Sequence, residues 1–222
     1  MELISLFNIF TKEGFISFLY MLPVLLFCLA IHEFSHAYAA YKLGDRSQKA
    51  MGRLTLNPFS HIDISGFICI ALFGFGWGKP VMIDDRNFKN KAAGNALTAF
   101  AGPFSNFLMA VIFTVILKVL LITGVIHTAA NSAVGAIILN MLILAIQFNV
   151  VFAIFNLIPI PPFDGSRILY FFLPSKGREI MYKIEQYAFI IVLVILVTGI
   201  GSKIVSPIIN FILLLLTKFI LL

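Results

Sequence analysis

Cys28-Leu-Ala-Ile-His32-Glu33-Phe-Ser-His36 follows directly on Phe18-Leu-Tyr-Met-Leu-Pro-Val-Leu-Leu-Phe27. The apolar run is long enough for a membrane helix, which needs about 20 residues. Inside it, His-Glu-x-x-His puts two imidazoles on one helix face, one turn apart, with a carboxylate beside them. Two imidazole donors and an adjacent base form most of a catalytic zinc site. Ionisable groups at membrane depth are costly, so their presence points to function. With four His in 222 residues, chance would supply this pattern only about 0.002 times.

The rest of the composition agrees with a membrane setting. Hydrophobic residues make up 60% of the chain and charged residues 12%, against about 45–50% and about 25% in soluble domains. The mean hydropathy is +1.02. These values imply an all-α polytopic membrane protein with no room for a separate soluble domain. The formal charge of +6 fits basic loops on one side of a bilayer and gives no reason to expect a nucleic-acid partner. Met1-Glu-Leu-Ile-Ser lacks the basic start of a signal peptide, so the first apolar segment is expected to be retained. Cys28 and Cys69 both lie in apolar segments and read as small buried hydrophobes.

About five stretches are expected to span: Phe15 to Tyr41, Leu97 to Ile122, Ala133 to Leu157, a short one from Tyr187 to Ile200, and Ile204 to Leu222. A sixth apolar stretch, Ile64 to Gly76, is too short. It runs into Gly74-Phe-Gly-Trp-Gly-Lys-Pro-Val81, whose alternation of small and large residues suggests extended backbone. Residues 64–81 are therefore expected to be re-entrant and partly β, which membranes tolerate only where protein or water surrounds the backbone. The charges support this. Lys42, Arg46, Lys49, Arg53, Lys79, Arg86, Lys89 and Lys91 flank the stretch on both sides; 123–132 has no Lys or Arg; Arg167, Lys176, Arg178 and Lys183 lie in 159–186. By the positive-inside rule both basic regions are cytosolic, provided 64–76 does not cross. The N-terminus is then outside and the C-terminus inside. His32, about 25 Å along the first span, falls near the cytosolic face of the cell membrane.

Catalytic zinc usually takes three protein ligands. His127 lies in the predicted outer loop, at the wrong face. His61 is on the correct side and possible in principle, as a ligand or a gate. Asp164 is the better candidate. Its setting is Asn156-Leu-Ile-Pro-Ile-Pro-Pro-Phe-Asp164-Gly165, where prolines end the third span and glycine permits a turn back toward the first. This works only in the topology that the charges favour.

The two motifs together resemble the site-2 protease family of intramembrane zinc metalloproteases (peptidase M50), in its small bacterial form. Asn57-Pro-Phe-Ser-His61-Ile-Asp63, Gly76-Trp-Gly-Lys-Pro-Val81 and Ala101-Gly-Pro-Phe-Ser-Asn106 resemble further stretches of that family. The likeness covers about residues 15–170. It implies that His32, His36 and Asp164 bind one Zn2+ and that Glu33 activates a water. It also implies single-span membrane-protein substrates, cleaved within their membrane segments. Larger members carry PDZ or CBS domains; none is expected here. The chain then reads as one membrane-embedded domain over 1–222, with a core of about 15–170 and a C-terminal helical hairpin of about 182–222.

Asn106, Asn149 and Asn156 are candidates to hold the scissile carbonyl or to orient a histidine. Bonding between helices is the plainer role for such residues. The stretch Phe73–Val81, with Phe75 and Trp77, can offer a strand edge to substrate. A metal transporter is the reading from another class, but no internal repeat supports it. A catalytically silent relative that binds membrane helices would be expected to have lost a ligand or the Glu, and none is lost.

Overall fold

The computed structural model describes residues 11–73 and 76–222. The first long helix, α1 (Lys12–Lys42), starts where the Thr11 side chain accepts the Gly14 N–H. A loop region follows with a short α2 (Ser47–Ala50) and then α3 (Ile64–Phe73). The chain returns through an irregular segment to α4 (Lys91–Ile122), capped by Asn90 on the Ala93 N–H. Gly124, at φ +73°, turns the chain into a short α5 (Val125–Ala130), and α6 (Ala133–Asn156) comes back, capped by Ser132. Then come α7 (Asp164–Phe172), α8 (Ser175–Glu185), α9 (Ala188–Thr198) and α10 (Ile200–Leu221).

Among the described residues, α1, α4, α6 and α10 are long and apolar enough to cross a membrane. The all-α polytopic fold is as expected, but the spans number four, not five. The predicted fourth span stops at Thr198, because Gly199 adopts a left-handed conformation at φ +65° and starts a new helix. The 11 residues of α9 rise about 16 Å, roughly half a hydrocarbon core.

Side-chain pairs set the directions. His36 meets Thr98 and His32 meets Asn106, so α1 and α4 are antiparallel; Asn106 meets Asn149, so α6 reverses again. Near the far end of α4, Lys118 Nζ donates to the Phe219 carbonyl close to the end of α10. The C-terminus therefore lies at the end of the bundle occupied by 123–132. This corrects the expectation that it sits at the opposite end, and follows from the loss of one crossing.

The expected re-entrant stretch starts and finishes at one end of the bundle, since Asp45 after α1 reaches Asp84 before α4. Its body is helical rather than extended: α3 has 10 residues and cannot cross. Asp63 caps it through the Gly66 N–H. Among the described residues, β character there amounts to one antiparallel bridge, Ile62 to Gly78. The glycines serve close packing: a Cβ at Gly66 would sit 2.0 Å from the Trp77 carbonyl oxygen, and one at Gly76 would sit 2.0 Å from that of Gly66.

Helix contacts are made through small residues. Ala30, Ala37, Ala40, Ala99, Ala110, Ala145 and Ala153 are buried, while Phe104, Phe107, Ile112 and Val115 on α4 point outward. This suits lipid, where close approach of backbones takes the place of a hydrophobic driving force. Val24, Cys28 and Ala145 form a buried cluster against Phe113, Met141, Phe148 and Phe152.

Candidate metal centre

His32 and His36 are buried on the face of α1 that meets α4. Each ring is held by its Nδ1. His32 Nδ1 lies 2.7 Å from Asn106 Oδ1, and His36 Nδ1 lies 2.7 Å from the Thr98 carbonyl. Both partners are acceptors, so both Nδ1 atoms carry the proton and both Nε2 atoms present lone pairs. Those two lone pairs face each other across 3.0 Å, an arrangement that calls for a cation or a proton between them.

Asp164 completes the group. Leaving α6, the chain turns through Pro159, Pro161 and Pro162 and places Asp164 at the start of α7. Gly165 packs so tightly that a Cβ would sit 2.3 Å from the Leu157 carbonyl oxygen. Asp164 Oδ2 lies 3.1 Å from His32 Nε2 and 3.2 Å from His36 Nε2. With no metal bound, burial pushes the Asp164 carboxyl up, but the positive charge of His36 when protonated, with the bonds from His32 and His36, more than reverses this and holds it well below the usual carboxylate range. Tetrahedral zinc with bonds of about 2.0–2.1 Å separates its donors by about 3.3 Å. The three observed separations, 3.0, 3.1 and 3.2 Å, are close to that value. The donor set of two neutral imidazoles and one carboxylate also suits zinc. Among the described residues, this is the one group of three such side chains able to hold a metal ion.

Glu33 is buried beside the histidines, and its Oε2 accepts the Val81 N–H at 3.2 Å. The loop segment after α3 thus reaches the site through its backbone. A cavity of about 470 Å³ adjoins it, lined by Val81, Ile83, Asn95, Ser166, Arg167 and Tyr170 among others. This arrangement can hold a divalent cation, present a base to a water, and admit a peptide from one side.

The structure sorts the remaining candidates. Asn106 bridges: it accepts from His32 and donates to the Cys28 carbonyl at 3.1 Å and to Asn149 Oδ1 at 2.8 Å. Asn149 donates onward to Ala145 and to Cys28 Sγ, one step further from the donors. Asn156 is not brought in; its amide bonds the Phe152 carbonyl of its own helix. His61 is buried away from the cluster, with Nε2 on the Thr55 carbonyl. Trp77 is 43% exposed, and Phe75 lies outside the described residues.

Thr98 is not among the residues that the sequence singles out, and Gly102 stands in the family-like stretch 101–106 without a role of its own. Thr98 acts through a main-chain carbonyl, which no side-chain pattern reveals. Gly102 lets α4 approach the donors: a Cβ there would lie 2.4 Å from His36 Nε2 and 2.7 Å from His32 Cε1. The available signal was Gly102-Pro103 inside a span, since Pro103 removes an N–H from the α4 ladder at that turn.

The model of peptidase family M50 matches residues 20–199. Among curated proteins, "Putative zinc metalloprotease YwhC" of Bacillus subtilis (strain 168) is 40% identical over 191 residues, covering 86% of both chains. "Putative zinc metalloprotease Rip2" of Mycolicibacterium smegmatis is 29% identical over 180 residues, covering 78% of this chain and 64% of that one. The Mycobacterium tuberculosis (strain H37Rv) protein of the same name is 28% identical over 173 residues, covering 75% and 62%. No solved structure gives a significant match.

Proposed function

This chain belongs to peptidase family M50, and from that premise we propose that it is an intramembrane zinc endopeptidase with His32, His36 and Asp164 as ligands and Glu33 as the base. The relatives' names make zinc the metal and peptide hydrolysis the reaction. The observation that carries the assignment is the convergence of three donor atoms beside a buried glutamate within an apolar helix.

A zinc ion held there supplies Lewis acidity that polarises a peptide carbonyl and acidifies a water to a pKa of about 7. The chain does the rest. Asn106 and the Thr98 carbonyl hold the Nδ1 protons, which aims both Nε2 lone pairs at one point. Val81 N–H anchors Glu33 Oε2, leaving Oε1 to take a proton from water and pass it to the leaving amine. Asn106 is committed to His32, Cys28 and Asn149, so its role is to orient His32 rather than to bind substrate.

The substrate is a membrane-spanning segment of a single-span protein. A helical peptide bond is protected by its own hydrogen bonds, so the segment must unwind. The irregular stretch 80–83 beside the cavity is the place for it to add as a strand. This overlaps the expected Phe73–Val81 edge at 80–81, while Gly76 and Trp77 of that edge pack on Gly66 of α3. The basic residues at the site's end of the bundle support a cytosolic position for that end. The start of α1 and the end of α10 then face the outside of the cell.

Purified wild type and Glu33→Gln, reconstituted with a single-span reporter, test the reading. Wild type should carry one zinc per chain and cut the reporter, and Glu33→Gln should keep the zinc and lose the cut. Equal cleavage by both proteins would falsify it.

A further inference from the structure

Two fully buried polar residues outside the catalytic group, Asp45 and Gln48, bond to 82–87 as well as to their neighbour Ser47. Asp45 Oδ2 accepts the Asp84 N–H at 2.8 Å; its Oδ1 accepts the Ser47 N–H at 2.9 Å and Asn87 Nδ2 at 3.3 Å. Gln48 Nε2 donates to the Met82 carbonyl and, at 3.1 Å, to Ser47 Oγ, while its Oε1 is buried without a partner among the described residues. Lys79 N–H is tied nearby to the His61 carbonyl at 2.8 Å. Gly44, at φ +115°, lets the chain close against Asn87, where a Cβ would sit 2.9 Å from the carbonyl oxygen.

A local turn accounts for one of Asp45's bonds, the one to the Ser47 N–H two residues on. It does not account for those to Asp84 and Asn87, nor for Gln48 reaching Met82. Buried polar side chains are costly unless they are bonded, and here the bonds fix a segment that has no regular structure of its own. The segment's other side behaves differently. Val81 N–H meets Glu33, and the cavity is lined by Pro80, Val81, Met82 and Ile83. Among the described residues, nothing pairs with the Val81 carbonyl or with the Ile83 N–H and carbonyl.

We propose that Asp45 and Gln48 are positioning residues. They hold 82–84 from behind, so that Val81 stays against Glu33 and the unpaired backbone of 81–83 faces the cavity, ready to bond an extended peptide. The proposal rests on the protease reading and adds residues to it that touch neither metal nor substrate.

The test uses the full chain in bilayers, with Gln48→Met, which keeps volume and drops the donor, and Asp45→Asn. Lys49→Ala, an exposed change on the same short helix, is the control. Amide exchange over 79–84 should rise about tenfold in both variants, the weight of one lost hydrogen bond, with one zinc per chain retained. KM for the reporter should rise by a similar factor, and Lys49→Ala should match wild type. Loss of folded protein would lower the maximal rate and leave KM unchanged. Unchanged exchange, or a KM unchanged in both variants, overturns the proposal. If wild type and Glu33→Gln cleave alike, the protease reading fails, and the exchange result alone then decides whether the clamp exists.

Discussion

The α1–α4–α6 centre is joined by polar contacts at its middle, whereas α10 lies against α4 and α6 almost wholly through apolar surface. In the centre, Cys28, His32, Asn106 and Asn149 form one chain of hydrogen bonds across three helices. On α10, Gly201 and Val205 are buried, and most of the helix is open to its surroundings. Lipid tails are as apolar as leucine, so apolar contact alone gives helices little preference for one axial register. Buried polar groups do give it, because a one-residue slip would leave several of them unsatisfied. The molecule places this register control where donor atoms must meet to within tenths of an ångström, and omits it where no chemistry is proposed.

The contrast breaks most completely at Glu33. Glu33→Gln keeps the shape and, through its amide oxygen, can keep the Val81 contact, but it cannot take a proton. We expect kcat to fall by about 10³-fold or more with zinc content unchanged, read by reporter cleavage and metal analysis of one preparation. Loss of zinc in this variant would mean that the carboxylate supports the donors directly.

Gly102→Ala follows in size. It adds one methyl where the nearest imidazole atom is 2.4 Å away, so α4 or both rings must move. Zinc affinity should drop about 100-fold, measured by competition with a chelator, while the helical content by circular dichroism stays at the wild-type value. Unchanged affinity would show that α4 can withdraw at no cost, and the tight centre would be looser than its hydrogen bonds imply.

Asn106→Ala should cost less, about 10-fold to 100-fold in zinc affinity, since His32 loses the acceptor that fixes its ring. Asn156→Ala is the paired control and should change nothing at the metal, because that amide bonds its own helix. Equal effects from the two would remove the distinction between a bridging and a self-bonded asparagine.

These cases also show which side-chain groupings are legible in the sequence. His32, Glu33 and His36 were legible because helix periodicity alone brings them together. Asp164 was legible because loop charges fixed which ends of α1 and α6 share a side. Asn149 and Asn156 were indistinguishable, being seven residues apart on one helix face, yet only Asn149 lies deep enough to meet α4. The break at Gly199 was hidden inside a continuous apolar run, since hydropathy does not register a left-handed glycine. Thr98 acts through its backbone, and the role of Gly102 is the space it leaves, so neither offers a side-chain signal.

The smallest effect is expected at Lys118, the polar tie between α4 and α10. Its Nζ donates to the Phe219 carbonyl at 2.9 Å and stands 4.2 Å from the Phe219 ring centroid. The pair is exposed, where a cation over a ring is worth about 0.5–1 kcal/mol, and the freed carbonyl can turn to water or headgroups. Lys118→Met keeps the stem that packs on Phe219 and deletes the charge. Thermal unfolding should shift by about 1 kcal/mol or less, with zinc content and kcat/KM at wild-type values. A fall in zinc content would show that the seating of α10 reaches the donors through α4, although Lys118 lies three turns beyond Asn106, and the two regions would then have to be treated as one mechanical unit.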